Sequence, residues 1–208
     1  MEVAVIVATF GELRWAELAQ RRAKVSAELE EPADLVVFHG GSSIAEARNT
    51  AAGMTDAPWL CFLDADDELE AGYLRAMAAR QLDRGLLAPA IREVVDGIPG
   101  PARTLDDDRR DIDRGWNPCV VGTLIRREIF ELAGGYWPER AWEDWSLFRR
   151  AWLLGEPVIH VPEAVYRIHV NPSGRNGTVV NPRGLRSEIL RSHAAWIRRA
   201  RARRSTTR

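Results

Sequence analysis

The chain has 208 residues, 46% of them hydrophobic, enough to bury a sizeable core as one domain or as one domain with an appendage. Its formal net charge of −1 excludes a global pull toward nucleic acid or an anionic membrane, although the charge is unevenly spread. Cys61 and Cys119 stand in apolar, strand-like segments with no second Cys or His at metal-ligand spacing, so both read as buried thiols.

The opening "MEVAVIVATF" has Glu2 where a signal peptide carries basic residues, and its apolar run is too short to span a bilayer; the chain reads as cytoplasmic. Within it, "VAVIVATF" (3–10) is a β-branched run of the kind found in strands covered on both faces. "GELRWAELAQRRAKVSAELE" follows with Leu13, Ala16, Leu18, Val25 and Leu29 at roughly helical spacing, which predicts one helix ending before Pro32. "DLVVFHGG" reads as a second strand closed by a Gly turn. "SSIAEARNTAAGM" opens with serines fit to cap a helix, and Pro58 precedes the strand "WLCFL". This alternation predicts a mostly parallel sheet with right-handed crossovers.

Ligands of such sheets sit beyond the carboxyl ends of the strands. Four acids fall there, in "LDADDE". Carboxylates two apart in an extended segment point the same way, so Asp64 and Asp66 share one target, and hard oxygen ligands suit Mg²⁺ or Mn²⁺. The plain structural alternative is that Asp67 or Glu68 caps the next helix. A second acidic cluster, "LDDDRRDIDR" (105–114), follows a Pro/Gly-rich connection and reads as a solvated loop or flap. Further on, "EDWSLFRRAWLLG" predicts a helix with Glu143 and Asp144 in its first turn, Trp145, Leu147, Phe148, Ala151 and Trp152 along it, and Gly155 as terminator.

Taken in order, "VAVIVATF", "AEARNTAAG", "FLDADD", "GGYWPERAWEDWSLFRRAWLLG" and "YRIH" resemble the family 2 glycosyltransferases of the GT-A fold over about residues 3–173. The resemblance implies an α/β fold with a mixed, mostly parallel sheet flanked by helices. It implies metal-dependent, inverting transfer of a sugar from a nucleotide-diphosphate sugar, a UDP-sugar foremost, to a hydroxyl of a carbohydrate, lipid-linked or protein acceptor. The donor would be contacted by Thr9, Phe10, His39, Arg48, Asn49, Asp64 and Arg167, with Arg48 and Asn49 at a helix start and Arg167 facing the diphosphate. Asp66, Asp64 and His169 would serve the Mn²⁺ or Mg²⁺ site, with Asp67 supporting the turn. Asp144 would be the base and Glu143 its fallback, with Trp137, Trp142 and Trp145 excluding water or stacking on the acceptor. His160 has no such context and reads as structural. The chain departs from the family pattern at "FHGGSS", where an Asp of a "DDGS"-like turn usually contacts the nucleobase, and the segment between that turn and "ARN" is shorter than usual. The alternative is a non-catalytic nucleotide-sugar or metal-binding domain.

Beyond the 1–175 catalytic domain, residues 176–208 read as a basic tail. From Arg175 on there are ten Arg and one acid, Glu188. Leu185, Ile189, Trp196 and Ile197 share one side of a helix over about 183–203. Three readings stay open: a helix docked on the domain with a solvated basic face, a peripheral membrane contact, or nucleic-acid binding.

Overall fold

The computed structural model describes residues 1–80, 84–105, 112, 117–171 and 179–206, the stretch 199–206 for its backbone only. Most of the 105–114 acidic cluster lies outside these residues. The continuous β-branched run becomes β1 (Val3–Thr9), with all seven residues buried. It is flanked by β2 (Asp34–His39) and β3 (Trp59–Leu63), both parallel to it. The chain continues through β4 (Glu68–Leu69), β5 (Leu86–Val95), β6 (Ile98–Pro99), β7 (Leu124–Arg126) and β8 (Val158–His169). The sheet order is β2-β1-β3-β7-β5-β8-β4, with β6 paired to β5. The pairings β1·β2, β1·β3 and β5·β8 are parallel, whereas those of β7 with β3 and β5, of β4 with β8 and of β6 with β5 are antiparallel. The sheet is therefore mixed. The long pairings are the parallel ones, and the short strands that reverse it are too brief to show an alternation of their own.

The helix expected over 11–30 is two: α1 (Leu13–Arg21) and α2 (Ala23–Glu28). Arg22 breaks them at φ −121°, ψ −75°, and its guanidinium donates to the Asp66 carbonyl at 2.8 Å. The buried face is also not the expected one. Ala19, Ala23 and Ala27, four residues apart, lie against the sheet, while Leu13 and Leu29 are 69% and 77% exposed. α3 (Ile44–Ala52) starts as expected, with Ser43 accepting from the Glu46 amide at 3.2 Å. Arg48 and Asn49 sit in its second turn rather than at its start. α4 (Tyr73–Ala78) is capped neither by Asp67 nor by Glu68: Glu30 reaches across to accept from the Gly72 and Leu74 amides at 2.7 and 2.8 Å.

α5 (Arg127–Leu132) leads through a Gly-Gly turn to α6 (Glu143–Leu153), which ends at Gly155 (φ +97°) as expected. Arg150, fully buried, holds that turn: it donates to the carbonyls of Ala133 and Gly135 (2.8 Å for the latter) and stacks on Trp137 at 4.0 Å. Gly134 and Gly135 are both left-handed, at φ +79° and +62°, and a Cβ on Gly135 would lie 2.6 Å from Asn49 Oδ1. The basic tail forms α7 (Pro182–Thr206), whose Leu185 and Ile189 join Ile112, Ala141 and Trp145 in a second apolar cluster beside the main core. Both cysteines are free and buried.

Candidate active site

Because β1, β2 and β3 run parallel, their carboxyl ends open on one edge. Thr9 and His39 are register partners there, and Thr9 Oγ1 lies 3.0 Å from His39 Nδ1. Phe10, half-buried, is the next residue out.

After Leu63 the chain does not stay extended. The Asp67 amide donates to the Asp64 carbonyl at 3.1 Å, closing a turn, so alternation along a strand is not what gathers the acids. The turn is held from β8. The buried Tyr166 hydroxyl accepts from the Asp64 amide at 3.2 Å, and Asp67 Oδ1 accepts from the His169 amide at 2.9 Å. Burial, then Asp64 and then Asp66, push the Asp67 carboxyl well above its ordinary range; burial and Asp64 push Asp66 up in the same direction. Crowded carboxylates of this kind are destabilised until a cation joins them.

Arg167 is engaged by Glu68 at 2.8 Å and Glu70 at 3.1 Å, and His169 Nε2 lies 3.4 Å from Glu68. Burial, then Arg22, hold the His169 imidazole below its usual pKa. Among the described residues no group of three or more His, Cys, Asp or Glu is arranged to enclose an ion.

Opposite the acidic turn stands the N-terminus of α6. Trp142, just before it, is left-handed at φ 60°, ψ 33°, a conformation that costs a non-glycine residue on the order of 1 kcal/mol and aims the first turn. Arg48, 3% exposed, bridges the two elements: Nη2 meets Asp64 at 2.5 Å and Nη1 meets Glu143 at 3.0 Å. Its face lies 4.8 Å from the Tyr136 ring. Asp144, half-buried, accepts from Asn117 Nδ2 at 3.1 Å; burial first and Glu143 second push its carboxyl up to about 6.

The fold thus brings Asp64, Arg48, Glu143 and Asp144 together, with Thr9 and His39 on the same sheet edge. Asn49 is spent elsewhere, as a clamp that exchanges two 2.8 Å bonds with the Tyr136 backbone. Trp145 is buried in the cluster under α7, and Trp137 packs on Arg150, His193 and Trp196. Only Trp142 of the three remains beside the acids and partly exposed. Sequence reasoning missed Tyr166, Asn117 and Arg150. Tyr166 lies inside "YRIH" and was within reach of a motif argument, whereas nothing local marks Asn117.

A mixed sheet flanked by helices, with an acidic turn at the carboxyl edge of its third strand, is the GT-A type of nucleotide-sugar fold. Residues 5–132 match the family described as Glycosyl transferase family 2, and the chain belongs to that family. Among solved structures it is similar to residues 1–349 of TarS from S. aureus in complex with UDP-GlcNAc, at 18% identity and a TM-score of 0.62, covering 94% of this chain and 66% of that one. It is also similar to GalNAc-T7 with UDP, GalNAc and Mn²⁺, at 16% identity and a TM-score of 0.56, covering 82% of this chain and 44% of that one. At these identities the likeness is one of fold, and the chain spans less than two thirds of either neighbour's length. No curated protein matches the chain in sequence.

Proposed function

We propose that the chain is a metal-dependent, inverting glycosyltransferase that takes a sugar from a nucleotide-diphosphate donor, a UDP-sugar foremost. The observation that carries this reading is the Arg48 bridge, which pairs Asp64 of the acidic turn with Glu143 at the start of α6. TarS with UDP-GlcNAc and GalNAc-T7 with UDP and Mn²⁺ lend support through their shared fold.

Mn²⁺ or Mg²⁺ fits the turn by donor chemistry. Asp66 offers hard oxygens, and burial first and Asp64 second raise its pKa, a strain that a bound cation would relieve. Asp66 would hold the ion with help from Asp64 and from His169 at the end of β8. A cation bound there neutralises the charge that develops on a departing diphosphate. Asp144 accepts the proton of the acceptor hydroxyl while that oxygen bonds to the anomeric carbon. The bond from that carbon to the diphosphate breaks on the opposite face, and the diphosphate leaves with the electron pair. Arg48 pairs with Glu143 at 3.0 Å, so of the two α6 acids Asp144 is assigned the proton. Thr9, Phe10 and His39 line the donor side, and the acceptor is a carbohydrate, lipid-linked or protein hydroxyl.

The test is calorimetric titration with UDP in Mn²⁺ and in excess chelator, for the wild type and Asp66→Asn. Metal-dependent affinity that Asp66→Asn lowers roughly tenfold or more supports the reading, since a bidentate or charge-assisted contact is worth at least ~1.4 kcal/mol. Equal affinity with and without metal would defeat it. Binding of UDP-GlcNAc without any release of UDP over hours returns the non-catalytic alternative.

A further inference from the structure

α7 is fastened to the body by one face. Leu185, Ile189 and His193, at four-residue spacing, are 8%, 0% and 0% exposed. His193 sits between Ser146 Oγ at 2.9 Å and Arg149 Nη1 at 3.0 Å, and Trp196 turns inward to Trp137 at 6.3 Å between ring centres. The rotation of the helix about its own axis is therefore set by groups that include none of its arginines.

Three of the helix's arginines lie on the opposite face. Arg183, Arg191 and Arg198 stand eight and seven residues apart, which at about 100° per residue places them in one stripe roughly opposite Ile189. All three are exposed, as is Arg186 on the flank, and none is in an ion pair among the described residues. This is not for want of partners. From residue 175 on there are ten Arg against Glu188 alone, so in a chain of net −1 the preceding residues carry −10. An acidic body was available to the arginines, yet the helix docks with its apolar side and leaves Arg183, Arg191 and Arg198 facing out.

We propose that this outer face of α7 is a docking surface for an anionic lipid bilayer. A stripe from Arg183 to Arg198, roughly 22 Å long at 1.5 Å per residue, matches a flat anionic plane. It carries no large apolar side chain to insert, so attachment is electrostatic and lies along the surface. It also offers no aromatic ring on which a base could stack, because Trp196 faces inward, and this favours lipid over single-stranded nucleic acid. The surface is independent of the transferase reading: either can fail while the other stands.

The experiment is sedimentation of the full chain with phosphatidylcholine vesicles, with and without one third phosphatidylglycerol, against R183E/R191E/R198E and the neutral R183Q/R191Q/R198Q. Expected is binding only to the anionic vesicles, lost at about 0.5 M salt where the Debye length shrinks to a few ångströms. Near an anionic surface each arginine contributes about 1 kcal/mol, so the neutral set weakens binding roughly 10²-fold and the reversed set more. All substitutions are on exposed side chains, and unchanged melting verifies the fold; should the reversed set melt early, the neutral set alone decides. Equal binding to uncharged vesicles, or retention of anionic-vesicle binding by a folded neutral set, overturns the proposal. Tighter binding to duplex DNA or RNA than to vesicles at equal phosphate concentration also overturns it and assigns the face to nucleic acid.

Discussion

Asp144 is half-buried, and the charge that the proposed role as a base requires of it costs stability. Its carboxyl, ordinarily at 3.8, is pushed up to about 6 by burial and by Glu143. The folded state thus holds the proton over a range where the unfolded chain has lost it, and stability falls as pH rises from about 4 to about 6, then stays level. Allowing for partial exposure, the charged Asp144 costs about 2 kcal/mol above pH 6. Asp144→Asn removes that cost while leaving an amide for Asn117 to meet, so at pH 8 the variant melts higher than wild type. Its transfer rate falls by roughly 10² to 10⁴, the usual contribution of a general base, with UDP and metal affinity unchanged. The acid limb of the wild-type rate near pH 6 disappears with it. A variant that neither gains stability nor loses turnover refutes the assignment, and Glu143 is then the next residue to test.

At the scale of elements, α2 shows why part of the fold was legible and part was not. Its inward face is alanine, and alanine is equally at home outside, so the large residues Val25 and Leu29 misled the periodicity argument. The reason is distance: Ala19, Ala23 and Ala27 let the helices lie close to the sheet, and only a small side chain fits. Ala23→Leu and Ala27→Leu should each destabilise by roughly 1 to 3 kcal/mol through overpacking. Leu29→Ala on the same helix stays within about 0.5 kcal/mol, because the side chain it removes is 77% exposed. Denaturant midpoints for the three variants check the contrast, and a large loss at Leu29 would show that the face is covered in solution. β1, β3 and α6 were readable because continuous burial, first-turn acids and a terminal glycine leave local marks in the sequence. Long-range contacts leave none. The Glu30 cap on α4, the Arg22 break that reaches Asp66 and the Arg48 bridge from α3 to α6 join residues 42 or more positions apart. For the same reason the acidic turn and the pair on α6 were each visible, while what joins them was not.

For the whole molecule, the docking of α7 couples acid to architecture. His193 is enclosed by Ser146, Arg149 and Arg150, with Glu139 behind Ser146 at 3.1 Å, and burial together with the two guanidiniums pulls its pKa down to about 3 from an ordinary 6.5. The unfolded chain therefore takes up a proton below pH 6.5 that the docked helix refuses. The contribution of His193 to stability is intact above pH 6.5 and is lost progressively as pH falls toward 3. Between pH 7 and pH 5 the loss amounts to about 2 kcal/mol, from one and a half pH units at ~1.4 kcal/mol each. Asp144, Asp66, Asp67 and Glu139, all shifted upward, act in the opposite sense over part of the same range, so the net curve of the wild type hides the effect. His193→Gln separates it. Gln keeps a donor for Ser146 and an acceptor for Arg149 but does not titrate, so between pH 7 and pH 5 the variant should lose about 2 kcal/mol less stability than wild type. Tryptophan fluorescence follows the event directly, since Trp137 and Trp145 both lie against His193. If wild type and His193→Gln show the same pH dependence of melting, the imidazole is protonated without undocking the helix, and α7 is held by its apolar contacts through Leu185, Ile189 and Trp196.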